Sequence, residues 1–273
     1  MVRTLLARGL LLGLLAGLVA GAFAFAFGEP RVDDAIALEE AAARAAAPEQ
    51  AAGRPAHDHA GQPAHDHTGQ AGQAGHDHGE EAAIGRPVQK AGLFLATGLY
   101  GLAVGGVFAL VFAGLRGRVG PRSDGRLALA AAGTAFAAVI LVPFVKYPAN
   151  PPAVGDPETI NGRTLLYVVM ILVGLAATAI AVGTARRVTT GDAWARWTAA
   201  VAAFLVPVAA AWWLLPAVNE VPDGFPATLL WQFRLASLGT QLVFWAAFGV
   251  LFGWVSDRAA RRAAAPARVA VPG

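Results

Sequence analysis

The chain contains no cysteine. Disulfides, iron–sulfur clusters and thiolate metal sites are therefore excluded, and soft ions such as Cu(I) lose their preferred ligand. Charge is also scarce, at 14% of residues against 56% hydrophobic, which is too little polar surface for an ordinary soluble domain. Two lysines stand beside nineteen arginines, a usage that points to a GC-rich bacterial genome. No glycine-rich loop closes on Lys-Ser or Lys-Thr, which excludes nucleotide hydrolysis by the usual machinery. No HExxH helix and no Ser-His-Asp context occurs, so the chain is not read as an enzyme and no catalytic residue is assigned.

What is present is a set of apolar runs of about twenty residues, the length of a membrane-crossing helix. They cover residues 5–27, 91–115, 127–145, 164–184, 197–215 and 235–254. The pattern predicts an all-α, polytopic membrane helix bundle of six spans, or five if the first is removed as a leader. The first run is longer than a signal-peptide core, and Ala22-Phe23-Ala24 is a weak cleavage site, so a retained helix is expected. Four parts follow: a first transmembrane helix (1–27), a histidine-rich loop (28–90), a five-helix bundle (91–257) and a tail (258–273).

The basic residues set the orientation. Arg3 and Arg8, then Arg116, Arg118, Arg122 and Arg126, then Arg186, Arg187 and Arg196, then Arg258, Arg261, Arg262 and Arg268 all fall on one side of a six-span layout. The positive-inside rule makes that side cytoplasmic, with both termini, in a bacterial inner membrane. These short clusters between apolar runs are not a phosphate-binding face, so no nucleic-acid partner is expected despite the net charge of +3. The protein's surroundings are membrane lipid. Gly98, Gly101, Gly105 and Gly106 suit close helix packing. Pro143 and Pro207 are expected to bend their helices, and Trp194, Trp197, Trp212, Trp213 and Trp231 to anchor span ends at the interface.

Residues 28–89 begin with a stretch predicting a short amphipathic helix at the membrane surface. They continue into an Ala/Gly/Gln/Pro tract with three near-repeats ending in His-Asp-His. All six histidines lie there: His57, His59, His65, His67, His76 and His78, around Asp58, Asp66 and Asp77. Such composition builds no core and predicts a disordered periplasmic loop. Neutral imidazoles with carboxylates suit borderline divalent ions such as Co²⁺, Ni²⁺ and Zn²⁺, so these nine residues are the metal-ligand candidates.

Two proline-rich connectors share the outer face with that tract. Residues 141–163 hold five prolines and most nearby charge; residues 215–234 repeat the design and also close on an arginine. So many prolines forbid helix and central strand, leaving rigid extended loops. The candidate transport path takes Asn150, Asp156 and Glu158 from one loop and Asn219, Glu220 and Asp223 from the other. It continues into Arg234, Ser237 and Gln241, spaced to line one face of the last helix. Glu220 is the foremost candidate for contact with an ion. For Lys146–Glu158 and Arg163–Asp156 the alternative to a place on the path is a loop-fixing salt bridge, the reading favoured for the two arginines, Arg163 and Arg234.

The stretches KYPANPPAVGDPETI (146–160), PAVNEVPDGFPATLLWQFRLASLGTQ (216–241) and FGEP (27–30) resemble those of the CbtA family, the proposed membrane subunit of a bacterial cobalt transporter. The resemblance spans the chain apart from the histidine tract and the tail. It implies an integral membrane protein in cobalamin-linked cobalt uptake, with a small single-span partner, CbtB, carrying a histidine-containing end. It also implies five spans, one fewer than the apolar runs here. The function expected is that of a divalent-metal transporter subunit with a captured or transported cation, Co²⁺ by preference, and no permanently bound cofactor. A non-transporting, membrane-anchored metal sensor or assembly scaffold is the alternative.

Overall fold

The computed structural model describes residues 2–52, 85–189 and 192–264. Among them there is no strand, and six helices are long and apolar enough to cross a membrane. The polytopic all-helical architecture read from the apolar runs is thus what the chain adopts. The histidine tract, with all nine of its metal-ligand candidates, lies outside the described residues.

Helix α1 (Val2–Phe23) passes through a π-helical turn, Ala24–Gly28, directly into α2 (Glu29–Ala52). The expected separate surface helix is therefore a continuation of the first span. In the π turn the Glu29 N–H reaches back to the Ala24 carbonyl, so the chain crosses Pro30, which has no N–H, without breaking. Helix α3 (Arg86–Leu115) returns antiparallel to α1. Next come α4 (Asp124–Ala135), a second π turn (Phe136–Leu141) and the short α5 (Val142–Lys146), which together make the third span. That π turn ends two residues before Pro143 and accommodates the backbone bond which proline cannot make. A 3-10 turn (Pro157–Thr159) leads into α6 (Ile160–Arg187), followed by α7 (Ala193–Leu214) and α8 (Ala227–Ala264). Pro207 lies inside α7 without ending it.

Two packing devices hold the bundle. The first is a glycine seam between α1 and α3. A Cβ at Gly9 would fall on the Gly105 carbonyl oxygen, one at Gly13 on that of Gly101, and one at Gly17 on that of Thr97. Hydrogen-only faces let the two backbones touch, which is how helices associate where lipid removes the hydrophobic drive. The second is an aromatic stack between α3 and α8. Phe108 meets Phe248 edge-to-face at 4.9 Å, Phe112 meets Phe252 at 5.1 Å, and Phe244 stacks on Phe248 at 5.9 Å.

The two ends of the bundle are fastened differently. At the arginine-bearing end, Asp257 of α8 accepts from the Gly125 N–H at 2.7 Å and lies 3.3 Å from the Ser123 hydroxyl, holding the start of α4. At the other end, α2 is tied to the start of α3. Arg86 pairs with Glu29 at 2.9 Å and with Asp33, while Lys90 reaches Asp33 at 2.8 Å. The two stems from which the histidine tract departs are thereby clasped together. Helix α2 also borders the start of α8, where Asp34 and Leu38 share a surface hollow with Pro226 and Gln232. The stems and both proline loops therefore occupy one end of the molecule.

Candidate functional site

The first proline loop owes its shape to its sequence. Ala153 adopts φ 65° and Gly155 φ 126°, both in the left-handed half of backbone space. At Gly155 a Cβ would also stand 2.6 Å from the Arg163 guanidinium, so glycine is required there twice over. Asp156 then caps the short 3-10 turn, its Oδ1 accepting from the Glu158 N–H at 2.9 Å.

Three ties lock this loop to its surroundings. The Tyr147 hydroxyl donates to the Pro216 carbonyl of the second loop at 2.8 Å. Glu220, also on the second loop, receives the Thr159 hydroxyl at 2.6 Å, the Asp156 N–H at 3.1 Å and Arg163 Nη1 at 3.2 Å. Arg234 of α8 donates to the Asn150 side-chain oxygen at 2.9 Å and to the Ala149 carbonyl at 3.3 Å. The Thr159 hydroxyl, then the Asp156 N–H and the Arg163 charge, hold the Glu220 carboxyl below its ordinary value of 4.5, against the opposing effects of burial and of the Asp156 charge. Neither salt bridge named from the sequence forms. Arg163 takes Glu220 in place of Asp156 because the second loop brings its carboxylate across the gap. Lys146 instead stands over the Trp212 ring, 5.0 Å from its centroid.

Beneath these ties lies an open cavity of about 820 Å³, bounded by the first loop, the second π turn, the start of α6 and α8. Four of the nine path candidates line it: Asn150, Arg234, Ser237 and Gln241. The predicted polar stripe on the last helix is thus one wall of a real hollow. Arg163, Tyr147, Thr164 and Tyr167 complete its polar lining. Gln241 also lines a second cavity of about 230 Å³ among α1, α3 and α8, and its side-chain oxygen accepts from the Tyr100 hydroxyl at 3.2 Å. This second cavity meets Phe244, the first ring of the aromatic stack.

The other five candidates do not line the cavity. Asp156, Glu158, Asn219 and Asp223 are exposed, and Glu220 stands beside them, 15% exposed and facing Arg163. Carboxylates therefore form the rim, and among the described residues no Asp or Glu lines the hollow itself. Among the described residues no three His, Cys, Asp or Glu side chains converge as a metal site. Sequence reasoning did not single out Tyr147, Thr159 or Tyr100. The first two sit within the proline-loop motif, where a hydroxyl beside prolines is a turn-forming signal. Tyr100, set within an apolar run of the sequence, carries no such signal.

A family model described as "Probable cobalt transporter subunit (CbtA)" matches residues 2–257. No curated protein and no solved structure matches the chain.

Proposed function

The chain belongs to the CbtA family, and from that we propose that it is the integral membrane subunit of a cobalt uptake system serving cobalamin synthesis. The reading is of a protein in the bacterial inner membrane, with its arginine-rich end and both termini cytoplasmic. The His-Asp-His tract collects Co²⁺ at the periplasmic mouth. The rim residues Asp156, Glu158, Asn219, Glu220 and Asp223 attract the ion to the mouth of the cavity that Asn150, Arg234, Ser237 and Gln241 line. An inside-negative potential contributes about 2.3 kcal/mol per charge per 100 mV, enough to bring in a divalent ion without nucleotide hydrolysis. A small CbtB-like subunit with one span completes the system.

The observation that carries this reading is the co-location at one end of the bundle. The clasped stems of the histidine tract, both proline loops and the mouth of the cavity lie together there. A second reading, a metal-binding scaffold that does not transport, is favoured because, among the described residues, no Asp, Glu, His, Lys or Arg lines the second cavity.

Cobalt accumulation in metal-starved cells separates the two, with nickel and zinc competing and a single-span partner co-expressed. Cobalt-selective accumulation that drops in Glu220→Ala supports uptake through the loop end. Chelator-reversible cobalt binding without accumulation identifies the scaffold.

A further inference from the structure

The charge inside the large cavity has the wrong sign for a bare cation. Among the described residues, Arg163 and Arg234, brought from α6 and α8, are its only charged lining. Guanidinium groups carry five N–H donors in a planar fork and stay protonated at any accessible pH. Arg234 spends its described bonds on two neutral acceptors, the Ala149 carbonyl and the Asn150 side-chain oxygen, and no carboxylate pairs with it among the described residues. Arg163 gives Nη1 to Glu220, while its buried Nε has no acceptor. Two partly buried guanidiniums thus share a hollow with one carboxylate between them, and that carboxylate is on the rim. Burying a cation without a counter-charge is costly, and an oxyanion bound between the two forks removes the cost. Ser237, Gln241, Thr164 and Tyr147 add neutral groups able to hydrogen-bond further oxygens.

We infer that this cavity is an anion site for a small polycarboxylate ligand, and that the divalent ion enters it as an anionic carboxylate chelate. The inference rests on the uptake reading for its cargo, but the anion site stands without it. A rim of carboxylates above a cationic hollow then has a consistent purpose. The rim attracts the metal, and the guanidiniums hold the oxygens of the ligand that carries it.

The test uses the full chain purified into phosphatidylcholine nanodiscs, with citrate and equimolar cobalt–citrate as probes in titration calorimetry. Saturable binding is expected for the unaltered chain and for the charge-matched control Arg196→Gln, which removes an exposed arginine outside the cavity lining. Binding about tenfold or more weaker is expected in Arg234→Gln. Ser237→Leu, which keeps both charges but fills the hollow, is expected to weaken binding as well and covers the case in which Arg234→Gln does not fold. No binding of either probe, or equal binding in both cavity variants, overturns the anion site. So does displacement of citrate by phosphatidylglycerol, which would make the ligand a lipid headgroup. Cobalt flux into proteoliposomes is read separately. Flux that rises as citrate is added up to the cobalt concentration supports chelate entry, and flux that falls with the free ion overturns it. Citrate binding with no flux at any ratio leaves the anion site intact and counts against uptake.

Discussion

Helix pairs α1–α3 and α6–α7 are both antiparallel, both apolar, and built to opposite standards. In α3, 39% of the most apolar stretch is buried; in α7 the figure is 6%. Hydrophobicity does not separate them, because in lipid it says nothing about which face is inside. Side-chain size does. The inner pair lines up glycines at every fourth position of α1, whereas α7 displays Trp194, Trp197, Val206, Trp213 and Leu214 outward. The bundle therefore has a stiff half made of touching backbones and a lightly held half. The cavity lies where α6 of the light half faces α8 of the stiff half.

The sharpest way to break the comparison is to place the same side chain in both halves. Gly105→Leu on the inner seam must push apart backbones that touch at Gly9. A cost of about 3 kcal/mol or more is expected, read as loss of the monodisperse peak in detergent gel filtration. Gly183→Leu on α6 meets nothing within 4 Å and is expected to leave that peak unchanged. Next in size is Phe248→Ala, which opens a hole in the stack against Phe108, Phe244 and Phe252. The water-transfer part of the usual penalty is absent in lipid, so about 2 kcal/mol from lost packing is expected, measured by thermal unfolding.

How far these halves were legible beforehand follows from the same physics. Span number and placement came from apolar length, and the proline loops from the geometry of proline. The last-helix stripe of Arg234, Ser237 and Gln241 came from helical spacing, and it does line one cavity. The separation of carboxylates from that cavity was not legible. Whether Glu220 faces an ion or Arg163 depends on how two loops 60 residues apart meet, and no local pattern encodes that. The seam was half visible. The α3 glycines stood out, but their α1 partners Gly9, Gly13 and Gly17 lay within a run that length alone had already explained.

A third, smaller effect concerns the tie between the light half and the second proline loop. Glu220→Gln keeps the shape but removes the charge that Arg163 faces. Protease nicking of residues 216–226 is expected to rise several-fold, with the bundle itself unaffected. The acid response has a definite sign. Glu220 titrates below its ordinary 4.5, so its contribution is fully present above that value and is lost as pH falls through the lowered one. Loop protection should persist at pH 5 and fail only in stronger acid. Failure near neutrality would show that another group holds the loops.

The smallest effect is expected on α7. Trp213 is 80% exposed, and its ring rests on little of the protein. If lipid covers it, Trp213→Ala should change unfolding temperature by about 1 °C or less, because the ring exchanges one apolar neighbour for another. In brominated phosphatidylcholine, fluorescence lost on deleting Trp213 should be the strongly quenched fraction, whereas the buried Trp245 should stay bright. A destabilisation matching Phe248→Ala would break the comparison outright. The outer pair would then be packed against a protein surface, which a transporter subunit has reason to offer. That result would mean that protein, and not lipid, covers α7 beside the helix that forms one wall of the cavity.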